Sequence, residues 1–285
     1  MKEDIFLLMG PTGFIGKGLL EDLIINNKKF VILERNIELT IWNLSKIINK
    51  KTNFIIINCA FDFKCHGNNI KILELICDFV NKNKIKISKW VQVSSINAYQ
   101  EKIVNFPNFL SKQIKYDDKY SQTKIDVDRR LFFYFKKKLI DDLVIIVPSI
   151  ISGGSWDRVL SDKNCKFIPK DKNLYIISIN ALISFIYLQS TKPIKSNSLN
   201  ILFPKHLKKS WNNEHKMKMN DNAYNLVFKF YKITKKYHKL FIILIKASAL
   251  LGKIVNNKYF FIFKHVRSIE INNNNKINDK SFYYD

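Results

Sequence analysis

The chain has 285 residues, 47% of them hydrophobic, so it is long and apolar enough to bury a core and is not intrinsically disordered. No unbroken apolar stretch reaches the roughly 18 residues of a membrane-spanning helix, and the N-terminus lacks the basic segment of a secretory signal. The formal net charge of +24 makes nucleic-acid binding one reading, but we find no helix-turn-helix, zinc-finger or RNA-stacking motif and expect no nucleic-acid partner.

The first sixteen residues predict the start of a dinucleotide-binding unit. Residues 5–9 are consecutively apolar, as in a buried parallel strand, and a glycine cluster over residues 10–16 follows directly. From Lys17 onward the apolar residues have helical spacing. In a strand-turn-helix unit of this kind the glycines let the backbone approach a pyrophosphate, and the helix N-terminus offers N–H groups to it. The residues expected at the cofactor are Gly10, Thr12, Gly13, Phe14, Ile15 and Gly16.

The end of the second apolar run bears on the choice of cofactor. Residues 30–33 lead to Glu34 and Arg35, where such a fold places the group that faces the adenosine ribose. Glu34 would bond the ribose hydroxyls of NAD and repel a 2′-phosphate, whereas Arg35 would attract the 2′-phosphate of NADP. NAD and NADP therefore both stay open, with a preference for NAD.

Four further segments predict strands of the same sheet. Residues 39–44 predict a third strand, and residues 54–57 predict a clearly buried one. Cys59 and Ala60, which follow the buried strand, are small enough to let the backbone lie against a bound cofactor. Residues 89–93 predict the next strand. Residues 143–147 predict another buried strand, and Pro148 stops it.

The polar residues after the strand at 89–93 supply the predicted chemistry. Ser95 lies at its carboxyl end, and ligands bind beyond the carboxyl ends of strands in an open parallel sheet. Tyr120 and Lys124 are four residues apart in a predicted helix, which puts them on one face. Tyrosine is a poor base at neutral pH, but an ammonium about 4 Å away favours a phenolate by about 4 kcal/mol at an effective dielectric near 20. Ser95 would hydrogen-bond the same substrate oxygen.

In this order the motifs resemble those of the short-chain dehydrogenases/reductases, and in particular their extended branch, the NAD-dependent epimerase/dehydratase family. The glycine spacing G-x-x-G-x-x-G fits that branch, as do the segment from Ser95 to Tyr99 and the 25 residues between Ser95 and Tyr120. The resemblance covers roughly residues 4–190. It implies an α/β fold with a doubly wound parallel sheet of Rossmann type and a smaller, mostly helical C-terminal substrate lobe.

The resemblance also implies roles for individual residues. Ser95, Tyr120 and Lys124 would form the catalytic triad, and Tyr120 and Lys124 would also contact the cofactor. The other implied contacts are Asn43 and Leu44 near the adenine, Cys59, Ala60 and Pro148 at the cofactor, and Tyr99 at the substrate. The sequence departs from the family pattern at three places, which are Val147, residues 152–154 and Asn180. The resemblance therefore does not define the substrate pocket.

The C-terminal third is the most basic part of the chain. Residues 201–285 carry 17 Lys and Arg against 5 Asp and Glu. Compositional bias explains part of this charge, and the rest favours an anionic ligand or an anionic membrane surface. Residues 224–255 predict either packed helices or a basic surface that rests on lipid. Trp156 and Arg158 are expected at a nucleotide diphosphate, because Arg pairs phosphate oxygens in a bidentate manner.

The chain is predicted to divide into a dinucleotide-binding domain over residues 1–190, with 151–172 contributing to the substrate lobe, and a substrate-binding region over 191–285. Its cysteines lack C-x-x-C spacing, which indicates reduced thiols, no metal site and a cytosolic protein that could lie at the inner face of a membrane. His66 is expected to be a solvated loop residue. The cysteines are Cys59, Cys65, Cys77 and Cys165. Whether the chain forms a homodimer stays open.

The predicted function is NAD(P)-dependent epimerisation or reduction of a nucleotide-activated sugar in glycan biosynthesis. Dehydratases of the family commonly add an acidic pair near the catalytic serine and tyrosine, whereas Ile96 and Asn97 follow Ser95 here. Two alternatives stay open: a catalytically silent dinucleotide-binding protein, and a reductase of lipid-like ketones.

Overall fold

The computed structural model of the chain describes residues 3–33, 41, 44–46, 48, 52–99, 110, 119–148, 150–152, 173–202, 204, 207–210 and 282–284. The strands in chain order are β1 (Glu3–Met9), β2 (Phe30–Ile32), β3 (Thr52–Asn58), β4 (Ile87–Val93), β5 (Ile140–Ile146), β6 (Ile150–Ser152), β7 (Asn173–Ser178), β8 (Ser198–Leu202), β9 (Leu207–Ser210) and β10 (Phe282–Tyr284). The helices are α1 (Phe14–Ile25), α2 (His66–Lys82), α3 (Lys119–Lys136) and α4 (Ile179–Thr191), and a short 3-10 helix spans Ile96–Tyr99.

Seven strands form the main sheet, in the order β10-β8-β5-β4-β3-β1-β2. The six strands from β8 to β2 are parallel, and β10 runs antiparallel to β8 at the edge. From β1 the chain passes to β2 on one side and returns to β3 on the other, so the strand order reverses at β1. In open parallel sheets, ligands bind beyond the carboxyl ends of the strands at such a reversal. By this rule, a ligand site is expected where β1 and β3 end.

Helices cover both faces of the main sheet, which confirms the predicted doubly wound α/β sheet of Rossmann type. Leu7 and Met9 of β1 pack with residues of α2 and α3. Phe6 and Leu8, on the opposite face, pack with residues of α1 and α4. Because β1 is buried on both sides, its sequence is a continuous apolar run and does not alternate with polar residues.

The strand predicted over residues 39–44 is wrong where the structure describes this stretch. Ile41 and Leu44 are helical, and the main-chain N–H of Ile48 donates to the carbonyl oxygen of Leu44 at 2.9 Å. Leu44 and Ile48 are both buried in the core on the side of α2 and α3. Apolar residues at 41, 44 and 48 are three and four apart, which is the period of a helix.

A buried ion pair in the first half of β4 and β5 connects these two strands to the end of α4. Nζ of Lys89 in β4 lies 3.3 Å from Oδ2 of Asp142 in β5, and both side chains are buried. The same Nζ donates to the carbonyl oxygen of Lys192, directly after α4, at 2.7 Å. Burial lowers the pKa of Lys89 and raises the pKa of Asp142. Each charge alone would be costly here, and their pairing offsets that cost.

The chain forms two compact units. The first consists of Met1–Ile151, Ile177–His206 and Ile277–Asp285, and the second of Ser152–Ile176 and Leu207–Lys276. A separate three-stranded sheet has the order β6-β7-β9, with β7 antiparallel to β9. The predicted helical C-terminal lobe and the division at residue 190 stay predictions, because residues 211–281 lie outside those described. None of the helices in the described ranges is long and apolar enough to cross a bilayer.

Candidate active site

The glycine turn after β1 lies against the end of β3. Gly10 has a φ of 80°, in the left-handed region that favours glycine. A Cβ atom at Gly10 would lie 2.8 Å from both Cα and N of Ala60, which is closer than real Cβ contacts. A Cβ atom at Gly16, in the first turn of α1, would meet the carbonyl group of Gly10. These two glycines therefore let β1, α1 and the end of β3 meet backbone to backbone.

The first turn of α1 is open to an anion. Its N-cap residue, Gly13, provides no side-chain hydrogen bond, and the turn contains no acidic residue. Thr12, Gly13 and Phe14 are exposed. The first N–H groups of a helix lack intrahelical partners, and the helix dipole is positive at this end. A glycine cradle that a Cβ would fill, next to an uncapped helix N-terminus, fits the pyrophosphate of a dinucleotide.

Hydrogen bonds to both neighbouring strands hold the end of β3. The main-chain N–H of Cys59 donates to the carbonyl oxygen of Met9 at 3.1 Å. Nδ2 of Asn58 donates to Oε1 of Gln92 at 2.9 Å, and Oδ1 of Asn58 accepts from the N–H of Ala60 at 3.1 Å. Burial raises the pKa of the Cys59 thiol to about 12, so this thiol is not a nucleophile at neutral pH. Cys59 and Ala60 offer a small, fixed surface.

Tyr120 and Lys124 lie next to the carboxyl end of β4. Both belong to α3, one turn apart, and Nζ of Lys124 is 5.9 Å from the centre of the Tyr120 ring. This Nζ donates to the carbonyl oxygen of Val93, the last residue of β4, at 2.9 Å. Lys124 is 5% exposed, so solvent screens its charge weakly. A buried ammonium beside a phenol is an arrangement suited to proton transfer by tyrosine.

Ser95 lies two residues beyond Val93 and is buried. Its carbonyl oxygen accepts from the N–H of Ala98 at 2.9 Å, at the start of the 3-10 helix. The structure thus brings Tyr120 and Lys124 together directly, and it puts Ser95 just beyond the strand end that Lys124 contacts. The catalytic roles of these three residues stay predictions.

Sequence reasoning missed two aromatic residues that contact the Tyr120 ring. Phe61 meets this ring edge-on with ring centres 4.9 Å apart, and Phe63 lies parallel to it with centres 5.8 Å apart. Nζ of Lys124 is 4.8 Å from the centre of the Phe61 ring. Phe63 is 71% exposed. An aromatic side chain that stays on the surface beside a candidate catalytic tyrosine can shape access to it.

Asp62 fixes the loop that carries these two phenylalanines. Its Oδ1 accepts from the main-chain N–H groups of Lys64 and Cys65, each at 2.8 Å, and its Oδ2 accepts from Nδ2 of Asn68 at 2.9 Å. The bonds from Cys65, Asn68 and Lys64 lower the pKa of Asp62. The N–H of Asp62 donates to Oδ1 of Asn69 at 2.8 Å. An aspartate that accepts from the N–H groups after it is a turn signal that the sequence does carry.

His66 begins α2 and connects this helix to α3. Its Nδ1 lies 2.8 Å from Oγ1 of Thr123, and that hydroxyl donates to the carbonyl oxygen of Lys119 at 2.7 Å. Since the hydroxyl has one hydrogen, Nδ1 of His66 is the donor in this pair. His66 is half-buried and helical, so the expectation of a solvated loop residue was wrong.

A fully buried carboxyl group, also missed, lies one helical turn beyond Lys124. Oδ2 of Asp128 accepts from the hydroxyl of Tyr99 at 2.9 Å and from Oγ of Ser94. Burial raises the pKa of Asp128 to about 7, and the two hydrogen bonds and Lys124 act in the opposite direction. The available signal was an acidic residue four positions after Lys124. Tyr99 is fully buried, and its predicted contact with substrate stays a prediction.

The remaining predicted contacts lie in different places. Pro148 is buried, and its carbonyl oxygen accepts from the N–H of Ile96 at 3.0 Å, which connects the segments after β5 and β4. Leu44 is fully buried in the core, and Ile15 is half-buried. Among the described side chains, no group of three or more His, Cys, Asp or Glu could hold a metal ion. Predicted site residues outside the described ranges are Glu34, Arg35, Asn43, Trp156 and Arg158.

No protein-family model matches the sequence, and no curated protein matches it. Solved structures share its fold. A short-chain dehydrogenase/reductase superfamily protein from Agrobacterium tumefaciens with bound NAD is 12% identical, with a TM-score of 0.52 over 74% of this chain and 80% of that chain. The UDP-N-acetylglucosamine 4-epimerase from Bacillus cereus is 15% identical, with a TM-score of 0.50 over 80% and 85% of the two chains.

A third similar structure is an NAD-dependent NDP-hexosamine 5,6-dehydratase of tunicamycin biosynthesis. It is 14% identical to this chain, with a TM-score of 0.54 over 73% of this chain and 78% of that one. At such identities the likeness shows the fold. The chain therefore shares the α/β fold of these three proteins.

Proposed function

We propose that the chain is an NAD(P)-dependent enzyme of the extended short-chain dehydrogenase/reductase type, an epimerase or reductase of a nucleotide-activated sugar. The observation that carries the proposal is the direct connection between the glycine turn and the Tyr120–Lys124 pair. Ala60 lies against Gly10 in the glycine turn. The next residue, Phe61, contacts the Tyr120 ring and the Lys124 ammonium. Two consecutive residues thus join a phosphate cradle to a tyrosine–lysine pair.

A nicotinamide dinucleotide would be held by the glycine turn and the N-terminus of α1, whose uncapped N–H groups suit its phosphates. When bound, it would supply a hydride donor or acceptor for the substrate carbon. Glu34 favours NAD, and Arg35 keeps NADP open. Cys59, Ala60 and Pro148 would lie against the cofactor, with Asn43 and Leu44 near its adenine.

The chain's own residues would handle the proton and the substrate oxygen. The Tyr120 hydroxyl would give a proton to that oxygen or take one from it. The Lys124 ammonium would stabilise the phenolate form, since it is buried and fixed by a main-chain carbonyl. The Ser95 hydroxyl would donate a hydrogen bond to the same oxygen and orient it. Phe61 and Phe63 would keep water from part of the Tyr120 ring.

The substrate class is proposed from the resemblance and from proteins of the same fold. Two of the similar structures are described as a UDP-N-acetylglucosamine epimerase and an NDP-hexosamine dehydratase. Trp156 and Arg158 would contact the nucleotide diphosphate of such a substrate, with Tyr99 nearer the reacting sugar. Ile96 and Asn97, where dehydratases of the family commonly have an acidic pair, favour epimerase or reductase over dehydratase.

The setting of the reaction is part of the same proposal. An enzyme of glycan biosynthesis would act in the cytosol, and its basic C-terminal third would suit contact with the anionic inner face of a membrane. Residues 191–285 would then bind substrate, and residues 1–190 would bind the dinucleotide. A homodimer would be consistent with this arrangement.

The test uses the full chain, purified without added cofactor. Mass spectrometry of the denatured protein should release NAD or NADP, and titration with each dinucleotide should give saturable binding. UDP-glucose, UDP-N-acetylglucosamine and GDP-mannose serve as probes of turnover. Tyr120→Phe should keep dinucleotide binding and lose turnover by about 10²- to 10⁴-fold, whereas Tyr134→Phe, roughly 20 Å along the same helix, should keep both.

Two outcomes separate this proposal from the alternatives. Binding without turnover of any sugar nucleotide in the parent protein would support a silent dinucleotide-binding protein. Turnover of lipid-like ketones in place of sugar nucleotides would support the reductase alternative. Failure of both dinucleotides to bind would overturn the proposal as a whole.

A further inference from the structure

Two residues of α3 clamp the segment that runs from Val93 to Tyr99. Nζ of Lys124 donates to the carbonyl oxygen of Val93 at 2.9 Å. One turn later, Oδ2 of Asp128 accepts from Oγ of Ser94 and from the hydroxyl of Tyr99, the latter at 2.9 Å. The two hydroxyl donors lie on either side of the proposed catalytic serine in the sequence. The main chain around that serine is therefore tied to α3 before it and after it.

The carboxyl group in this clamp is a costly choice for a buried position. Asp128 is 0% exposed, and its Oδ1 has no hydrogen-bond partner among the described residues. Burying an ionised carboxylate is unfavourable unless it is paired and hydrogen-bonded, and an apolar side chain of similar size would avoid the cost. What the carboxylate provides, and an apolar side chain would not, is two directed hydrogen bonds to one oxygen.

We propose that Asp128 is a positioning residue that, through Ser94 and Tyr99, fixes the main chain around Ser95 and so sets the direction of the Ser95 hydroxyl. The inference rests on the proposed function, because it assigns a support to the same serine. Asp128 itself is fully buried and acts through its two partners. Buried polar networks of this kind hold one geometry when their members are satisfied.

The clamp is strongest when Asp128 is ionised, because a charged acceptor oxygen holds the two hydroxyls more firmly than the carbonyl oxygen of a protonated carboxyl group does. The groups that face this carboxyl are Lys124 on its own helix, Ser94 after β4 and Tyr99 in the 3-10 helix. Burial raises the pKa of Asp128 to about 7, against the effect of those three groups. The position of the serine should therefore respond to pH near neutrality.

The test compares the parent with Asp128→Asn on the sugar-nucleotide probe that the parent turns over. The isosteric amide removes the negative charge, so its oxygen accepts from the hydroxyls of Ser94 and Tyr99 more weakly than the carboxylate does, while its NH2 group replaces Oδ1. We expect kcat to fall by about 10- to 100-fold while the Kd of the dinucleotide stays within about twofold. The parent's kcat should also fall as the pH drops below about 7, and this limb should be absent in the variant.

A matched control separates positioning from loss of stability. Asp142, in β5, is another buried carboxylate and pairs with Lys89 in the first half of β4 and β5. Asp142→Asn should lower the midpoint of thermal unfolding and leave the kcat of the folded enzyme unchanged. If it lowered kcat as much as Asp128→Asn does, the two variants would share a stability effect and the inference would be overturned.

A second variant tests the route through the hydroxyls and decides the matter if Asp128→Asn does not fold. Tyr99→Phe removes one donor and keeps the ring, so it should lower kcat in the same direction. In the double variant the loss should be no larger than the larger single loss, because both changes break one clamp. An unchanged kcat in Tyr99→Phe, or in a folded Asp128→Asn, overturns the inference alone. A parent that turns over no sugar nucleotide overturns the proposed function and this inference with it.

Discussion

Nζ of Lys124 lies 2.9 Å from the carbonyl oxygen of Val93, so the main chain of β4 holds the charged end of this lysine. A strand that is buried on both faces and paired on both sides offers a fixed acceptor. The helical spacing of α3 then brings Tyr120 alongside, with its ring centre 5.9 Å from the same Nζ. The position of the charge is thus set by the sheet.

Lys124→Met should remove this charge and keep most of the apolar stem. The phenolate of Tyr120 would lose its buried cation, and we expect kcat to fall by about 10²- to 10⁴-fold. Steady-state kinetics on the folded variant, with circular dichroism to verify folding, measures this. Lys119→Met is the matched control, because Lys119 is an exposed lysine of the same helix. A Lys124→Met enzyme within twofold of the parent would contradict the proposed role.

Gly10→Ala should weaken dinucleotide binding and stability together. The new Cβ would lie 2.8 Å from the backbone of Ala60, and the left-handed φ of 80° adds about 1–2 kcal/mol of strain. Dinucleotide titration and urea unfolding measure the two effects. Gly67→Ala is the control, since a Cβ there meets nothing within 4 Å and a helical alanine should add about 0.5–1 kcal/mol of stability. Equal dinucleotide affinity and equal stability of the two variants would contradict the proposed phosphate site at Gly10.

Replacing one partner of the Lys89–Asp142 pair should lower the stability of the fold more than replacing both partners does. Lys89→Met leaves a buried carboxylate without its cation, and we expect about 3–5 kcal/mol of lost stability. Adding Asp142→Leu should recover part of that loss, because no charge is then buried. Urea unfolding of both single variants and the double variant tests this. A double variant with additive losses would mean that the pair's mutual attraction is small.

The stability of the folded chain should depend on pH through Asp128. Its pKa is raised to about 7, so between about pH 4 and about pH 7 the folded state keeps a proton that the unfolded chain has released. The free energy of unfolding should therefore fall as the pH rises through this window, and Asp128 adds no further change above it. From about pH 5 to about pH 8 the expected fall is about 3 kcal/mol.

Asp128→Asn isolates this contribution. Other groups titrate alike in parent and variant, so the parent should lose about 3 kcal/mol more stability than the variant between about pH 5 and about pH 8. Urea unfolding at the two pH values gives both numbers. Identical pH dependence in the two proteins would mean that the carboxyl of Asp128 titrates in the folded chain near its unfolded value of about 4.

The parallel sheet was predictable because the signal for its strands is local. Residues 5–9 and 54–57 are continuous apolar runs, and both are buried parallel strands in the structure. The helix that carries Tyr120 and Lys124 was predicted from spacing. The stretch at 39–44 was predicted wrongly, because a short apolar run fits a strand and a helix alike. Only a further apolar position such as Ile48 shows that the spacing is that of a helix.

The supports of the candidate site were not predictable in the same way. Phe61 and Tyr120 are far apart in the sequence, and nothing local pairs their rings. Asp128 has a helical relation to Lys124, but its contact with Tyr99 depends on how α3 packs on the 3-10 helix. Lys89 belongs to a predicted strand, and nothing local in the sequence indicates its contacts with Asp142 and with the chain segment after α4. Each is a tertiary contact that no single segment encodes.

Strand β10 pairs with β8 and covers one edge of the main sheet. The pairing runs from Phe282 opposite Ile201 to Tyr284 opposite Leu199. Without it, β8 would present a row of free main-chain donors and acceptors next to the apolar Leu199 and Ile201, a template on which a foreign strand can add. A chain truncated before residue 282 should therefore self-associate more readily through the exposed edge of β8. Residues 282–284 should thus protect the chain from self-association along β8.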